Sequence, residues 1–83
     1  MIGCTRYSKF MVSVLKRLGL RVRQLREARK WSQEDFAEKA NLHRTYVSGI
    51  ERGTRNPTLT VLSRIAEGFG ITLDQLLERL SKK

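Results

Sequence analysis

The sequence predicts an all-α domain of five helices. Apolar residues recur at three- and four-residue spacing along most of the chain, the period of a helix with one buried face. Ser32, Thr58 and Thr72 stand where helices would be capped, and Asn41, Gly53 and Gly70 where they would stop. No stretch alternates apolar and polar residues as a half-buried strand does. The expected division is an N-terminal basic extension over residues 1–17, one folded domain over 18–80 and a short tail over 81–83.

The extension, IGCTRYSKFMVSVLKRL, mixes basic and apolar residues. Its run FMVSVL is too short for a secretory core and far too short to span a bilayer. Three readings stay open: a flexible basic arm able to reach a DNA groove, extra turns on the front of the first helix, or a stretch upstream of a start at Met11. The first helix is expected from Leu18 to Arg29, with Leu18, Val22 and Leu25 on one face. Trp31 then packs on the core beside a turn. Lys30 sits in that turn.

Ser32 caps the second helix, and Glu34 and Asp35 put negative charge where its dipole is positive. Phe36, Ala37 and Ala40 form its apolar stripe. Asn41, which tolerates left-handed backbone angles, turns the chain sharply, and Leu42 plugs the turn. In the third helix Val47 and Ile50 face inward while Arg44, Thr45 and Ser48 face outward, and Gly53 ends it. A basic loop, TRNP, leads to Thr58, the cap of a fourth helix whose apolar face is Leu59, Leu62, Ile65, Ala66 and Phe69. Gly70 ends that helix. Thr72 caps a fifth, which carries Leu73, Leu76, Leu77 and Leu80.

The stretch QEDFAEKANLHRTYVSGIER, Gln33 to Arg52, resembles the helix-turn-helix of Cro/CI-type repressors. Gln33 opens it, Ala37 is the small residue where the helices touch, and Asn41 stands where the family usually has glycine. Phe36, Ala40, Leu42, Val47 and Ile50 fill its apolar positions. Lys30 occupies another place where the family often has glycine. The resemblance runs from about Leu18 to Leu80. It implies a five-helix lambda-repressor-like DNA-binding domain. Within the family, Arg44 to Leu59 is most similar to controller proteins of restriction–modification systems. By that resemblance the chain binds operators upstream of its own gene and the endonuclease gene as a homodimer. A phage-type repressor, an antitoxin-like regulator, or a protein-interaction module using the last helix are the alternatives.

The helix-turn-helix geometry sets the third helix in the major groove, its N-terminal residues against the base edges. Arg44, Thr45 and Ser48 are then the candidate base readers. Gly49 lies at a position that often carries a reading side chain in similar proteins. Gln33, Tyr46, Arg52, Arg55, Asn56 and the capped helix start at Thr58 are candidate phosphate contacts, which set register without reading sequence. Arg26 on the edge of the first helix's apolar face is expected to form a structural ion pair with Glu51, because similar repressors tie these positions together. The last helix holds more leucine than one thin core needs. Ile71, Leu76, Leu77 and Leu80 are therefore the candidate dimer interface.

Composition agrees with a polyanionic partner. Seventeen Lys and Arg against eight Asp and Glu give a formal net charge of +9 over 83 residues. No catalytic constellation and no glycine-rich phosphate loop is present, so an enzyme is not expected. Neither is a cofactor or a small-molecule ligand. Cys4 has no partner for a disulfide, and His43 has no neighbour at metal-ligand spacing, so no metal is expected. An RNA-binding module is disfavoured for want of an aromatic platform. The expected location is the cytoplasm.

Overall fold

The computed structural model describes residues 9–78 and residue 80, with side chains from residue 14 onward. Within these residues there are five helices and no strand: α1 (Lys9–Ala28), α2 (Gln33–Ala40), α3 (Arg44–Arg52), α4 (Leu59–Phe69) and α5 (Leu73–Leu77). The expectations for Cys4, for Arg6 as part of a basic arm, and for the 81–83 tail lie outside the described residues. No helix among them is long and apolar enough to cross a membrane.

α1 begins at Lys9, well before the Leu18 that the apolar spacing marks. Leu15, one turn ahead of Leu18, is buried as well, so of the three readings of the extension the described residues from Lys9 take the one with extra turns on the front of the first helix. Gly19 lies inside this helix rather than at its edge. A Cβ on Gly19 would stand 2.5 Å from the carbonyl oxygens of both Ile50 and Glu51. Glycine is there because α1 crosses the end of α3 backbone to backbone, a contact that fixes how α3 sits on the bundle.

The core is built where the five helices converge. Val22, Phe36, Val47, Ile50, Ile65 and Leu76 are fully enclosed. Each such side chain contributes roughly 1.5–3 kcal/mol by leaving water, the main stabilising term in a chain of this size. Phe36 and Phe69 stack at 4.1 Å between ring centroids where α2 meets α4. Trp31 continues the stack at 6.0 Å from Phe69, with Lys39 and Arg29 over its ring. Leu59 departs from its expected place on the apolar face of α4. It is 66% exposed, because the buried stripe of that helix is carried by Ile65, Ala66 and Phe69.

α5 is shorter than expected. It ends at Leu77, where Glu78 takes an extended conformation (φ −56°, ψ 131°). Leu80 N–H bonds Leu77 O at 3.1 Å, and its side chain joins the core at 9% exposure. Two arginines of α1 and Arg29, just past its end, fasten the later helices by donating to backbone carbonyls, two of them at helix C-termini that leave such groups unpaired. Arg17 Nη1 reaches Leu80 O at 3.0 Å, Arg21 Nη2 reaches Gln75 O at 2.7 Å, and Arg29 Nη2 reaches Phe69 O at 2.8 Å.

Candidate nucleic-acid interface

The local sequence fixes the two central helices tightly. Ser32 Oγ accepts from Asp35 N at 3.0 Å while Ser32 N donates to Asp35 Oδ2 at 3.0 Å, a reciprocal cap at the start of α2. The backbone bond from Ser32, and after it the bond to the Ser32 hydroxyl, hold the Asp35 carboxyl below the ordinary range. Asn41 ends α2 in the left-handed conformation (φ 58°, ψ 48°), and its N–H reaches back to Ala37 O and Glu38 O. α3 then opens at Arg44, with no side-chain bond from its cap residue His43. Gly53 closes it at φ 77°, with Lys16 of α1 packed against that turn.

Behind this surface lies a network on Glu51. Arg26 Nε donates to Glu51 Oε2 at 2.7 Å, and Arg26 Nη2 to Glu51 Oε1 at 3.0 Å. The Arg26 side chain is 12% exposed and that of Glu51 5%, so the pair is nearly buried. Arg26 Nη1 also donates to Trp31 O at 2.8 Å. The bond to Glu51 raises the pKa of Arg26 above its already high ordinary value. A third donor was not foreseen from the sequence: Gln33 Nε2 reaches Glu51 Oε1 at 3.0 Å. The network thus ties α1, the start of α2 and the end of α3 into one body.

The expected base readers, Arg44, Thr45 and Ser48, all lie on the outer side of α3, with Arg44 and Thr45 exposed and Ser48 half-buried. Arg44 and Gln33 border the same shallow concavity with Ser32 and Glu34. That places the start of α2 beside the start of α3. Arg52, assigned from the sequence to phosphate alone, turns back along α3 and donates from Nη1 to Ser48 Oγ at 2.6 Å.

The loop after α3 is held against that helix. Thr54 bonds Gly49 O through its N–H at 2.9 Å and its hydroxyl at 3.1 Å, and Pro57 is buried. Arg55 lies across Gly49: a Cβ on that glycine would stand 2.6 Å from Arg55 Cγ. Its guanidinium sits 5.2 Å from the centre of the Tyr46 ring. The room that a side chain at position 49 would fill is taken by Arg55, which the sequence separates by a helix end. Asn56 is exposed in the loop, and the Thr58 hydroxyl accepts from Val61 N at 3.2 Å as the cap of α4.

The four residues expected to join two copies are divided. Leu76 is fully enclosed within its own chain, and Leu80 is drawn into the same core, so neither offers surface to a partner. Leu76 is the buried residue of α5 itself, whereas Leu80 is drawn in because α5 ends early and it no longer continues the helix face beyond Leu77. Ile71 and Leu77 remain half-buried at the edge of the core. Among the described residues no group of His, Cys, Asp and Glu is arranged to hold a metal ion.

Residues 22–76 match the helix-turn-helix family. Control protein C.MunI of a Mycoplasma species is 44% identical over 68 residues, spanning 81% of this chain and 92% of that protein. The crystal structure of the restriction–modification controller protein C.AhdI from Aeromonas hydrophila has a TM-score of 0.72 at 40% identity, over 75% of this chain and 94% of that one. The solved structure of C.Esp1396I bound to a 25 base pair operator site has a TM-score of 0.73 at 38% identity, over 83% of this chain and 91% of that one.

Proposed function

The chain belongs to the helix-turn-helix family and is a DNA-binding transcription regulator rather than an enzyme, and from that premise we propose that it is a restriction–modification controller acting as a homodimer on a near-palindromic operator. The observation that carries the reading is the outer face of α3, where Arg44, Thr45 and Ser48 stand together over a scaffold locked by the Glu51 network. An α-helix fits the major groove, where each base pair presents a distinct set of donors and acceptors. Arg44 can give two hydrogen bonds to guanine, and Thr45 offers a methyl to thymine and a hydroxyl to donors or acceptors.

Phosphate contacts set the register. The first-turn amides of α2, next to Gln33, form an anion-attracting helix start. Gln33 gives one amide hydrogen to Glu51 and keeps the second for a phosphate oxygen. Tyr46, Arg55, Asn56, the remaining donors of Arg52 and the α4 start at Thr58 complete the set. Two copies joined through the surface around Ile71 and Leu77 would hold their α3 helices about 34 Å apart, one turn of the duplex. A regulator that binds operator DNA belongs where that DNA is, in the cytoplasm with the nucleoid.

The relatives that support this reading are controller proteins, and one of them was solved on its operator. Footprinting on the DNA upstream of the chain's own gene tests it. The expected result is a protected near-palindrome with half-sites one helical turn apart. Protection no stronger than on scrambled DNA would remove the function.

A further inference from the structure

We infer that Arg52 is a positioning residue for sequence reading: it holds the Ser48 hydroxyl as a hydrogen-bond donor, so that Ser48 selects a base edge that accepts. The inference rests on the proposed DNA-reading role of α3 and concerns what one side chain on that face can recognise. A serine hydroxyl is ordinarily ambivalent, donating or accepting as its partner requires, and reads little when left free. Here it is not free. Arg52 Nη1 donates to Ser48 Oγ at 2.6 Å from one turn further along the same helix, the i,i+4 spacing at which side chains meet.

A guanidinium stays charged at any working pH and has donors only. It therefore fixes the hydroxyl's polarity. The oxygen faces the cation, one lone pair is occupied by a charge-assisted bond, and the proton is left to point away. In the major groove the acceptors are guanine O6 and N7, adenine N7 and thymine O4, whereas cytosine N4 and adenine N6 carry hydrogens. A hydroxyl so polarised favours the first group over cytosine N4, to which it can offer only its second lone pair, beside a cation. Gly49, which follows Ser48, adds no side chain of its own to the helix surface, so Ser48 and Arg52 act beside Arg55 without a competing group from that position.

The test is selection from a randomised duplex library by the wild type, Ser48→Ala, Arg52→Met and the double variant, with relative affinities read at each base pair. Arg52→Met keeps the aliphatic reach and removes the donors. Equal melting temperatures establish that the variants fold. In the wild type, cytosine is expected to be disfavoured by roughly fivefold at the base pair facing Ser48, the discrimination that one hydrogen bond supplies. Ser48→Ala and Arg52→Met should each remove that preference at the same base pair. The double variant should lose no more than either one, since both changes break one unit. Arg52→Lys, a donor cation of shorter reach, should restore part of it. Preferences at the base pairs facing Arg44 should persist in all variants. A general loss of affinity from a missing phosphate contact cancels in such ratios. If Arg52→Met keeps every wild-type preference while Ser48→Ala loses one, Arg52 does not act through Ser48. If neither variant changes any preference while the wild type selects a clear sequence, the inference fails and the DNA-reading function stands. If the wild type selects no sequence at all, the function itself is wrong and the inference falls with it.

Discussion

Glu51 receives three hydrogen bonds from two side chains, Arg26 and Gln33, while only 5% of its own side chain is exposed. Removing it strands a guanidinium in a nearly dry place. Glu51→Ala is therefore expected to cost about 3–5 kcal/mol in denaturant unfolding, the range for one partner removed from a buried pair. A loss below about 1 kcal/mol would mean that water reaches Arg26. Lys30 has the opposite character. It holds a left-handed φ of 61° with a side chain that makes this conformation unfavourable. Lys30→Gly removes a penalty of roughly 1–2 kcal/mol and returns part of it as unfolded-chain entropy. The expected net is a small rise in melting temperature; a fall would show that the lysine stem packs usefully in the turn. Both residues could be picked out in the sequence, Lys30 and Glu51 from the family's pattern. The Gln33 bond could not, because nothing in one sequence says which of several neighbours an amide will choose.

Helix ends are mostly legible because their signals are local. Ser32, Thr58 and Thr72 cap α2, α4 and α5 through their hydroxyls, and Asn41, Gly53 and Gly70 end α2, α3 and α4 with positive φ. The start of α1 and the end of α5 are not legible, since they depend on what the distant helices offer: Gly19 fits against α3, and the Leu80 carbonyl is held by Arg17. Gly19→Ala tests the first of these. Alanine improves helix propensity by about 1 kcal/mol. Its Cβ, however, meets two backbone carbonyls that cannot swing aside, an overpacking cost of typically 1–3 kcal/mol. The clash should win, lowering stability and weakening DNA binding by tilting α3. Unchanged affinity would mean that the crossing does not set the helix's pose.

The cap of α2 should also be visible in acid. Asp35 is depressed in the folded chain, so its contribution is whole above the unfolded carboxylate value of about 3.9 and is lost as the pH falls through the lower folded value. The melting temperature of the wild type should exceed that of Asp35→Asn near neutrality. The gap should close in the range below about pH 4. A gap that stays constant down to the acid limit would assign the effect to something other than the carboxylate.

At the scale of the whole molecule, the net charge of +9 pointed to a polyanion but not to where the charge is placed. Arg17, Arg21 and Arg29 are spent on backbone carbonyls of the later segments, and Arg26 on Glu51. Arg44, Arg52 and Arg55 remain around the outer face of α3. Arginine serves equally for a buried cap and a phosphate, so composition cannot separate the two uses. The leucines of the last segment pose the same problem: burial takes Leu76 and Leu80 and leaves Ile71 and Leu77 half-buried at the edge of the core, the surface proposed for a second copy. Leu77→Glu should shift sedimentation toward the monomer and weaken operator binding while the chain stays folded. A dimer undisturbed by this change would move the interface elsewhere.

Binding of the wild type and Arg44→Ala to an operator duplex and a scrambled duplex, over a series of salt concentrations, tests most directly that α3 reads sequence. Arg44→Ala should lose roughly 1–3 kcal/mol of discrimination between the two duplexes while keeping most of its affinity for the scrambled one. Equal weakening on both duplexes, with the preference intact, would contradict the account: Arg44 would then be a phosphate contact, and the outer face of α3 would not be what chooses the site.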